Sequence, residues 1–179
     1  HHMQTVVEAA EQLQHLSNLR FLFIGGGRLR EEVSRMVGEK GLSNVVMLPY
    51  QPADLLPYSL TCGDISLVTL GKGMEGLSVP SKLYSSLAAG LVILAVMGPG
   101  SEVGDVIDGD GCGFRVTQGD VNGLVDAIST LYSDTDLVES MRVRSRECFD
   151  ANFSRRMSIE KYISLLRTVV LEIKSQGTR

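Results

Sequence analysis

Long apolar runs are missing from this sequence. The longest, Leu91-Val92-Ile93-Leu94-Ala95-Val96-Met97, has the length of a strand, well short of the ~18 residues that a membrane-spanning helix needs. Cysteine is scarce. Cys62, Cys112 and Cys148 are odd in number, lie far apart, and form neither a CxxC pair nor a zinc spacing. That excludes a small disulfide scaffold and fits a reduced, cytoplasmic setting. A basic excess is missing too: 17 Lys and Arg against 21 Asp and Glu leave a formal charge of −4, which argues against a nucleic-acid partner. Histidine is almost confined to the start, where His1-His2-Met3 reads as the remnant of an affinity tag. His15 falls near the end of a predicted helix, where a solvated or dipole-facing role is expected. There is no internal repeat and no low-complexity linker.

What is present is soluble globular composition, 44% apolar and 21% charged. At 179 residues the chain sits at the upper end of one ordinary domain, long enough to bury about 70% of its unfolded surface without a disulfide or metal staple. Nineteen glycines point to tight turns, or to backbone brought close to a ligand.

The apolar pattern alternates between two periods. Val6, Ala10 and Leu13 predict a helix over residues 4–15. An apolar run over residues 19–24 closes at Gly25-Gly26-Gly27, a buried strand ending in a glycine turn. A helix through Leu29, Val33, Met36 and Val37 follows, then a strand at residues 45–48 ending at Pro49, a short helix over 53–60 and a strand at 64–70. A glycine-rich loop, residues 71–79, leads to Pro80 and a helix ending at Gly90. Next come the most apolar strand (91–96), a helix over 101–108, a strand at 113–116 and a helix marked by Leu124, Ala127, Ile128 and Leu131. The remainder is helical with a break near Phe153, and its last apolar stripe runs from Ile159 to Ile173.

Strands that are continuously apolar and alternate with helices imply a parallel sheet covered on both faces. The expected fold is therefore α/β: a doubly wound, Rossmann-like parallel sheet. Such folds usually open with a strand, whereas this chain opens with a helix, so the first strand is expected to be lacking.

In open α/β sheets, ligands bind beyond the carboxyl ends of the strands. Two glycine-rich segments fall there. Gly25-Gly26-Gly27-Arg28 is not GxGxxG, because the sixth position is Arg30; it is either a tight turn or bare backbone close to a phosphate or sugar. The richer segment is Gly71-Lys72-Gly73-Met74-Glu75-Gly76-Leu77-Ser78-Val79-Pro80-Ser81-Lys82. Pro80 is expected as first helical residue, with Ser78 or Val79 at the cap. The free amides of that turn, from Leu77 to Ser81, form a candidate anion site. Lys82, a cation opposed to the helix dipole, gains a purpose if a diphosphate binds; otherwise it is simply solvated. Glu75 is either a loop carboxylate in water or an acceptor for sugar hydroxyls. The arginines at 142, 144, 146, 155 and 156 are read as a solvated helix face, and Tyr50 and Tyr58 as packing residues with polar tips.

Glu75-Gly76-Leu77-Ser78-Val79-Pro80-Ser81-Lys82-Leu83-Tyr84, running into Leu87-Ala88-Ala89-Gly90 and an apolar strand, resembles the donor-binding segment of the GT-B retaining glycosyltransferases of family 4 (group 1). The resemblance is nearest to polysaccharide-type members with a Pro-Ser-Lys helix start, and extends over nearly all of residues 4–174. It implies the C-terminal, nucleotide-sugar-binding half of a two-domain transferase. Glu75 and Lys82 would be the catalytic pair. Gly25, Gly26, Gly76, Leu77, Ser78, Val79, Ser81 and Ser85 would bind donor and diphosphate, and Leu48, Pro49 and Tyr50 would lie by the nucleobase. Ser85 enters because the family's second glutamate falls there when aligned on Ala88-Ala89-Gly90; counted from Glu75 it would be Leu83.

The resemblance further implies no cofactor and no metal, since amides and basic side chains carry the leaving diphosphate. The implied partners are a nucleotide-sugar donor and an absent N-terminal acceptor domain, reached by the last helix (about 155–174), with peripheral association at the inner membrane face through that missing half. Without it the chain is not expected to be active alone. The alternatives are a GT-B-like sugar-nucleotide epimerase and a non-catalytic Rossmann-like binding module.

Overall fold

The computed structural model describes residues 3–27 and 29–176, with side chains through residue 170; the tag-remnant reading of His1 and His2 lies outside the described residues. The order is α1 (Met3–Gln12), β1 (Phe21–Ile24), α2 (Leu29–Lys40), β2 (Val45–Leu48), a 3-10 turn (Ala53–Leu55), α3 (Leu56–Thr61), β3 (Ile65–Thr69), α4 (Lys82–Ala88), β4 (Val92–Val96), α5 (Glu102–Asp110), β5 (Gly113–Val116), α6 (Val121–Ser133), α7 (Thr135–Asn152) and α8 (Arg155–Gln176). Every strand pair is parallel. The strands fall into two sheets, β1-β2 and β3-β4-β5. Within each sheet the strands therefore point their carboxyl ends the same way, and the loops that follow them gather at that edge.

The three-stranded sheet is covered on both faces, as its unbroken apolar runs require. Ile93, Ala95 and Val68 pack with Leu83, Leu87, Val103 and Ile107 from α4 and α5. On the other face Leu94, Val96 and Val116 meet Val6, Ala9 and Leu13 of α1 and its C-terminal turn, with Leu124 and Ile128 of α6. Every residue of β4 is buried. α7 closes the first face: Ser145 Oγ donates to the Leu91 carbonyl at 2.7 Å.

The two-stranded sheet departs from the expected double cover. Phe21, Phe23, Val45 and Met47 turn inward onto α1 and α2, but Leu22, Ile24, Val46 and Leu48 remain 36–41% exposed on the opposite face. The reason is local: α3 is short, and Leu55, Leu56 and Tyr58 around it are themselves exposed, so it gives that face no lid.

Helix ends show how the sequence sets boundaries. Ser101 caps α5 by accepting from Gly104 N, Asp120 caps α6 through Gly123 N, and Asp134 separates α6 from α7 by accepting from Leu137 N. The arginines read as a solvated face do more than that. Arg142 Nε donates to the Gly90 carbonyl at 3.1 Å and Arg146 to that of Ala88 at 2.8 Å, satisfying carbonyls that α4 leaves open at its C-terminus.

Glycine at 113 is a packing requirement. A Cβ there would collide with the carbonyl of Ile93 across the β4–β5 ladder, whereas one at Gly109 in α5 would meet nothing. Gly113→Ala is expected to cost at least about 2 kcal/mol in denaturant unfolding, and Gly109→Ala to stabilise by about 0.4–1 kcal/mol. Equal effects for the two would contradict the observed strand spacing.

Candidate functional site at the strand tips

The loop between β3 and α4 is built as a series of tight turns. Met74 N donates to the Gly71 carbonyl, and both Leu77 N and Ser78 N donate to that of Met74. Gly73 and Gly76 take φ of +81° and +75°, which residues with a Cβ rarely adopt.

The Glu75 carboxylate folds back into this loop and across the tips of two strands. Its Oε2 accepts from Gly73 N at 2.8 Å. Its Oε1 accepts from Gly98 N, just past β4, at 2.9 Å and from Gln118 Nε2, just past β5, at 2.8 Å. Gln118 foremost, then the backbone N–H of Glu75 itself, and the Gly98 and Gly73 amides hold its pKa at about 2 against an ordinary 4.5. Gly98 has no side chain because one would not fit: a Cβ would stand 2.7 Å from Glu75 Oε1.

Lys82 opens α4. Pro80 precedes the helix instead of starting it, because its carbonyl takes the Leu83 amide in a tighter turn; the N-cap is Ser81, and its side chain makes no capping bond. The Lys82 side chain is reached by solvent, yet crowding by neighbouring protein atoms desolvates the ammonium and lowers its pKa below the usual 10.5. Among the described residues it makes no ion pair. Lys82 is thus a cation with no carboxylate partner among the described residues. Of the amides expected to form a cradle, those of Leu77 and Ser78 are spent inside the loop. Those of Val79 and Ser81 have no backbone acceptor among the described residues. The Ser85 hydroxyl donates to the Lys82 carbonyl at 3.1 Å, so it faces its own helix turn.

A second cluster lies at the tips of β1 and β2. Tyr50 is 78% exposed and lays its ring over Gly25 and Gly26. A Cβ on Gly26 would come within 2.9 Å of that ring, so the paired glycines are occupied by an aromatic platform. The packing role expected for Tyr50 thus coexists with an exposed face. Arg30 ties the two tips together, donating to the carbonyls of Gly25 and Leu48 at 2.7 Å each. No side-chain hydrogen bond in the structure joins this cluster to Glu75 among the described residues. The surface notch beside Ala88, Ala89 and Gly90 lies at the opposite end of β4 and takes no part in either cluster. Among the described residues no group of three His, Cys, Asp or Glu side chains could hold a metal ion, and no helix is long and apolar enough to cross a membrane.

Residues 1–134 match the family described as glycosyl transferases group 1. The chain is 34% identical over 166 residues to the probable glycosyltransferase WbjE of Pseudomonas aeruginosa, covering 93% of this chain and 41% of that protein.

The chain belongs to the group 1 glycosyltransferases.

It is also 27% identical to the O-antigen chain mannosyltransferase C of Escherichia coli, over 97% of this chain and 44% of that one. Among solved structures it resembles the Anabaena protein HepE in complex with UDP-glucose, with a TM-score of 0.74 and 16% identity over 92% of this chain and 44% of that protein. The chain thus spans under half the length of these proteins, and its fold is that of one half of a GT-B transferase.

Gln118, Gly98 and Arg30 were not singled out as site residues by the group 1 resemblance. Gln118 sits in no motif, and nothing local marks its partner. Arg30 figured only as the residue that breaks GxGxxG. The glycines that follow β1, β3 and β4 were the available hint for Gly98.

The linkage of Glu75 has a definite sign. Its folded pKa lies below the ordinary value, so the stabilisation is complete above about pH 5 and is lost as pH falls toward about 2. Carboxyl carbon NMR with labelled glutamate should show one residue, absent in Glu75→Gln, titrating near pH 2. A midpoint at 4.5 would mean that the three hydrogen bonds are not held in solution.

Proposed function

We propose that this chain is the donor-binding half of a glycosyltransferase that moves a sugar from a nucleoside diphosphate sugar to an acceptor hydroxyl, in polysaccharide or glycolipid synthesis. The observation that carries this reading is the Lys82 ammonium, which makes no ion pair among the described residues and follows a loop anchored at the carboxyl ends of β4 and β5. The likeness to HepE, solved with UDP-glucose, and to an O-antigen mannosyltransferase supports the choice of donor class and pathway type.

The barrier to such a transfer lies largely in charge gathering on the departing diphosphate, and preorganised donors aimed at that charge are the usual largest catalytic contribution. Lys82 supplies the charge, and the amides of Val79 and Ser81 supply neutral donors beside it. The other residues that the resemblance places here, Gly76, Leu77, Ser78 and Ser85, shape the turn. Glu75 has three of its acceptor positions filled; the remaining lone pair, on Oε2, is the one assigned to a donor-sugar hydroxyl. Tyr50 over Gly25 and Gly26, next to Leu48 and Pro49, offers a flat exposed ring for a nucleobase. No cofactor or metal is assigned, since these groups carry the diphosphate themselves.

The acceptor side belongs to a preceding domain. α8 presents Tyr162, Leu165 and Leu166 at 59–70% exposure, and we assign this apolar surface to contact with that domain. The isolated chain is accordingly assigned no transferase activity, and a cytoplasmic place with peripheral membrane contact through the other half completes the reading.

The full-length enzyme, screened first with UDP-, GDP- and ADP-sugars and its products identified, tests both transfer and donor class. With the accepted donor, Lys82→Ala should reduce kcat/KM by roughly 10–100-fold, the loss of one charged hydrogen-bond donor. An unchanged kcat/KM removes Lys82 from the site. Epimerised donor in place of transferred sugar replaces the reaction while keeping the cleft.

A further inference from the structure

The Gln118 side chain does something that its place in the chain does not suggest. It leaves the end of β5, passes the end of β4, and reaches the end of β3. Its Nε2 donates to the Leu70 carbonyl at 3.1 Å and to Glu75 Oε1 at 2.8 Å. In the sheet order β3-β4-β5 those outer strands are two spacings apart, about 9–10 Å. Both targets are acceptors, so both hydrogens of the amide are used and its orientation is settled by the contacts. A glutamate at 118 would turn an oxygen toward a carbonyl and a carboxylate. The residue between them, Gly98, must lack a side chain, since a Cβ would lie 2.7 Å from Glu75 Oε1 and 3.5 Å from Gln118 Oε1. Gln118, Gly98 and Glu75 therefore interlock.

We propose that Gln118 is a positioning residue that holds the 71–79 loop in place through the Glu75 carboxylate, and so sets where the loop delivers Lys82. The consequence for catalysis rests on the donor-site reading given above; the hold on the loop does not. Gln118 itself need touch no substrate. Its amide clamps one oxygen of Glu75, Gly98 N clamps the same oxygen from the adjacent strand, and Gly73 N takes the other. Without Gln118, Glu75 keeps partners on β4 and in its own loop but loses its link to β5, and the loop loses its tie to Leu70.

The test uses the full-length enzyme and two readouts. Amide hydrogen exchange at Gly98 reports the clamp directly, without any ligand. In Gln118→Leu the Gly98 amide should exchange about tenfold faster or more, and donor KM should rise by about tenfold with a smaller change in kcat. The double variant Glu75→Gln with Gln118→Leu should be no worse in KM than the worse single variant, because the two residues act as one unit. Gln118→Asn keeps the amide but falls one methylene short, and must move both readouts in the same direction; it also serves if the leucine variant does not fold. Gly98 exchange equal to wild type in a folded Gln118 variant overturns the inference, as do KM effects that multiply in the double variant. Faster exchange at Gly98 with donor KM unchanged supports the hold on the loop and instead overturns the assignment of that loop to the donor.

Discussion

The structure depends on the burial of α1 against two sheets that no strand pairing joins among the described residues. Val6, Ala9 and Leu13 pack on the three-stranded sheet and α6, while Val7 and Ala10 face α2 and the two-stranded sheet. The helix is ten residues long, yet both sheets pack against it. Asn44 adds a polar tie: its side-chain Nδ2 donates to the Ala10 carbonyl at 2.8 Å while its main-chain carbonyl accepts from Phe21 N. Apolar burial is non-directional, so α1 alone would let the sheets slide. The polar ties at the edges restrict that freedom: Asn44 beneath β1 and β2, and Thr5 Oγ1, which accepts from Gly119 N at 3.0 Å beyond β5. The frame that presents the strand tips is therefore apolar in energy and polar in register.

From that frame the site inherits its precision at one end and not at the other. The tips of β3, β4 and β5 are bound to one another by Glu75 and Gln118, and the tips of β1 and β2 by Arg30. Each clamp is internal to its own sheet. The cation proposed for the diphosphate and the ring proposed for the base thus stand on two sheets that both pack against α1.

Much of this was legible in the sequence, because the signals were local. Apolar runs stopped by glycine or proline marked β1 to β4, and Leu124, Ile128 and Leu131 marked α6. The loop was legible too, since Glu75, Pro80 and Lys82 lie within one short segment. What escaped was non-local. The open face of Leu22, Ile24, Val46 and Leu48 could not be foreseen from their hydrophobicity, because exposure depends on what covers them. Arg142 and Arg146 looked like charges for water; their role appears only when α7 lies against the end of α4. Pro80 fell short of the helix because its carbonyl was claimed by a tighter turn. Gln118 was invisible for the same reason as the arginines: a neutral side chain in a turn carries no signal until the fold sets its amide across a neighbouring strand.

The same geometry bears on the role proposed for Glu75, whose carboxylate is not free. A loop carboxylate left to water samples many rotamers, and a sugar bound to it must suppress them all. Three donors fix this one before any ligand arrives, at the tips of β4 and β5 and within its own turn. The cost is acceptor capacity, since one lone pair remains. The gain is that this lone pair has a fixed direction, set by the sheet and not by the loop. A glycine-rich loop whose backbone can take up left-handed conformations at Gly73 and Gly76 is otherwise poorly suited to hold a cation at a fixed distance from anything. Tethering its carboxylate to strands at Gly98 and Gln118 transfers the rigidity of the parallel sheet to the segment that carries Lys82.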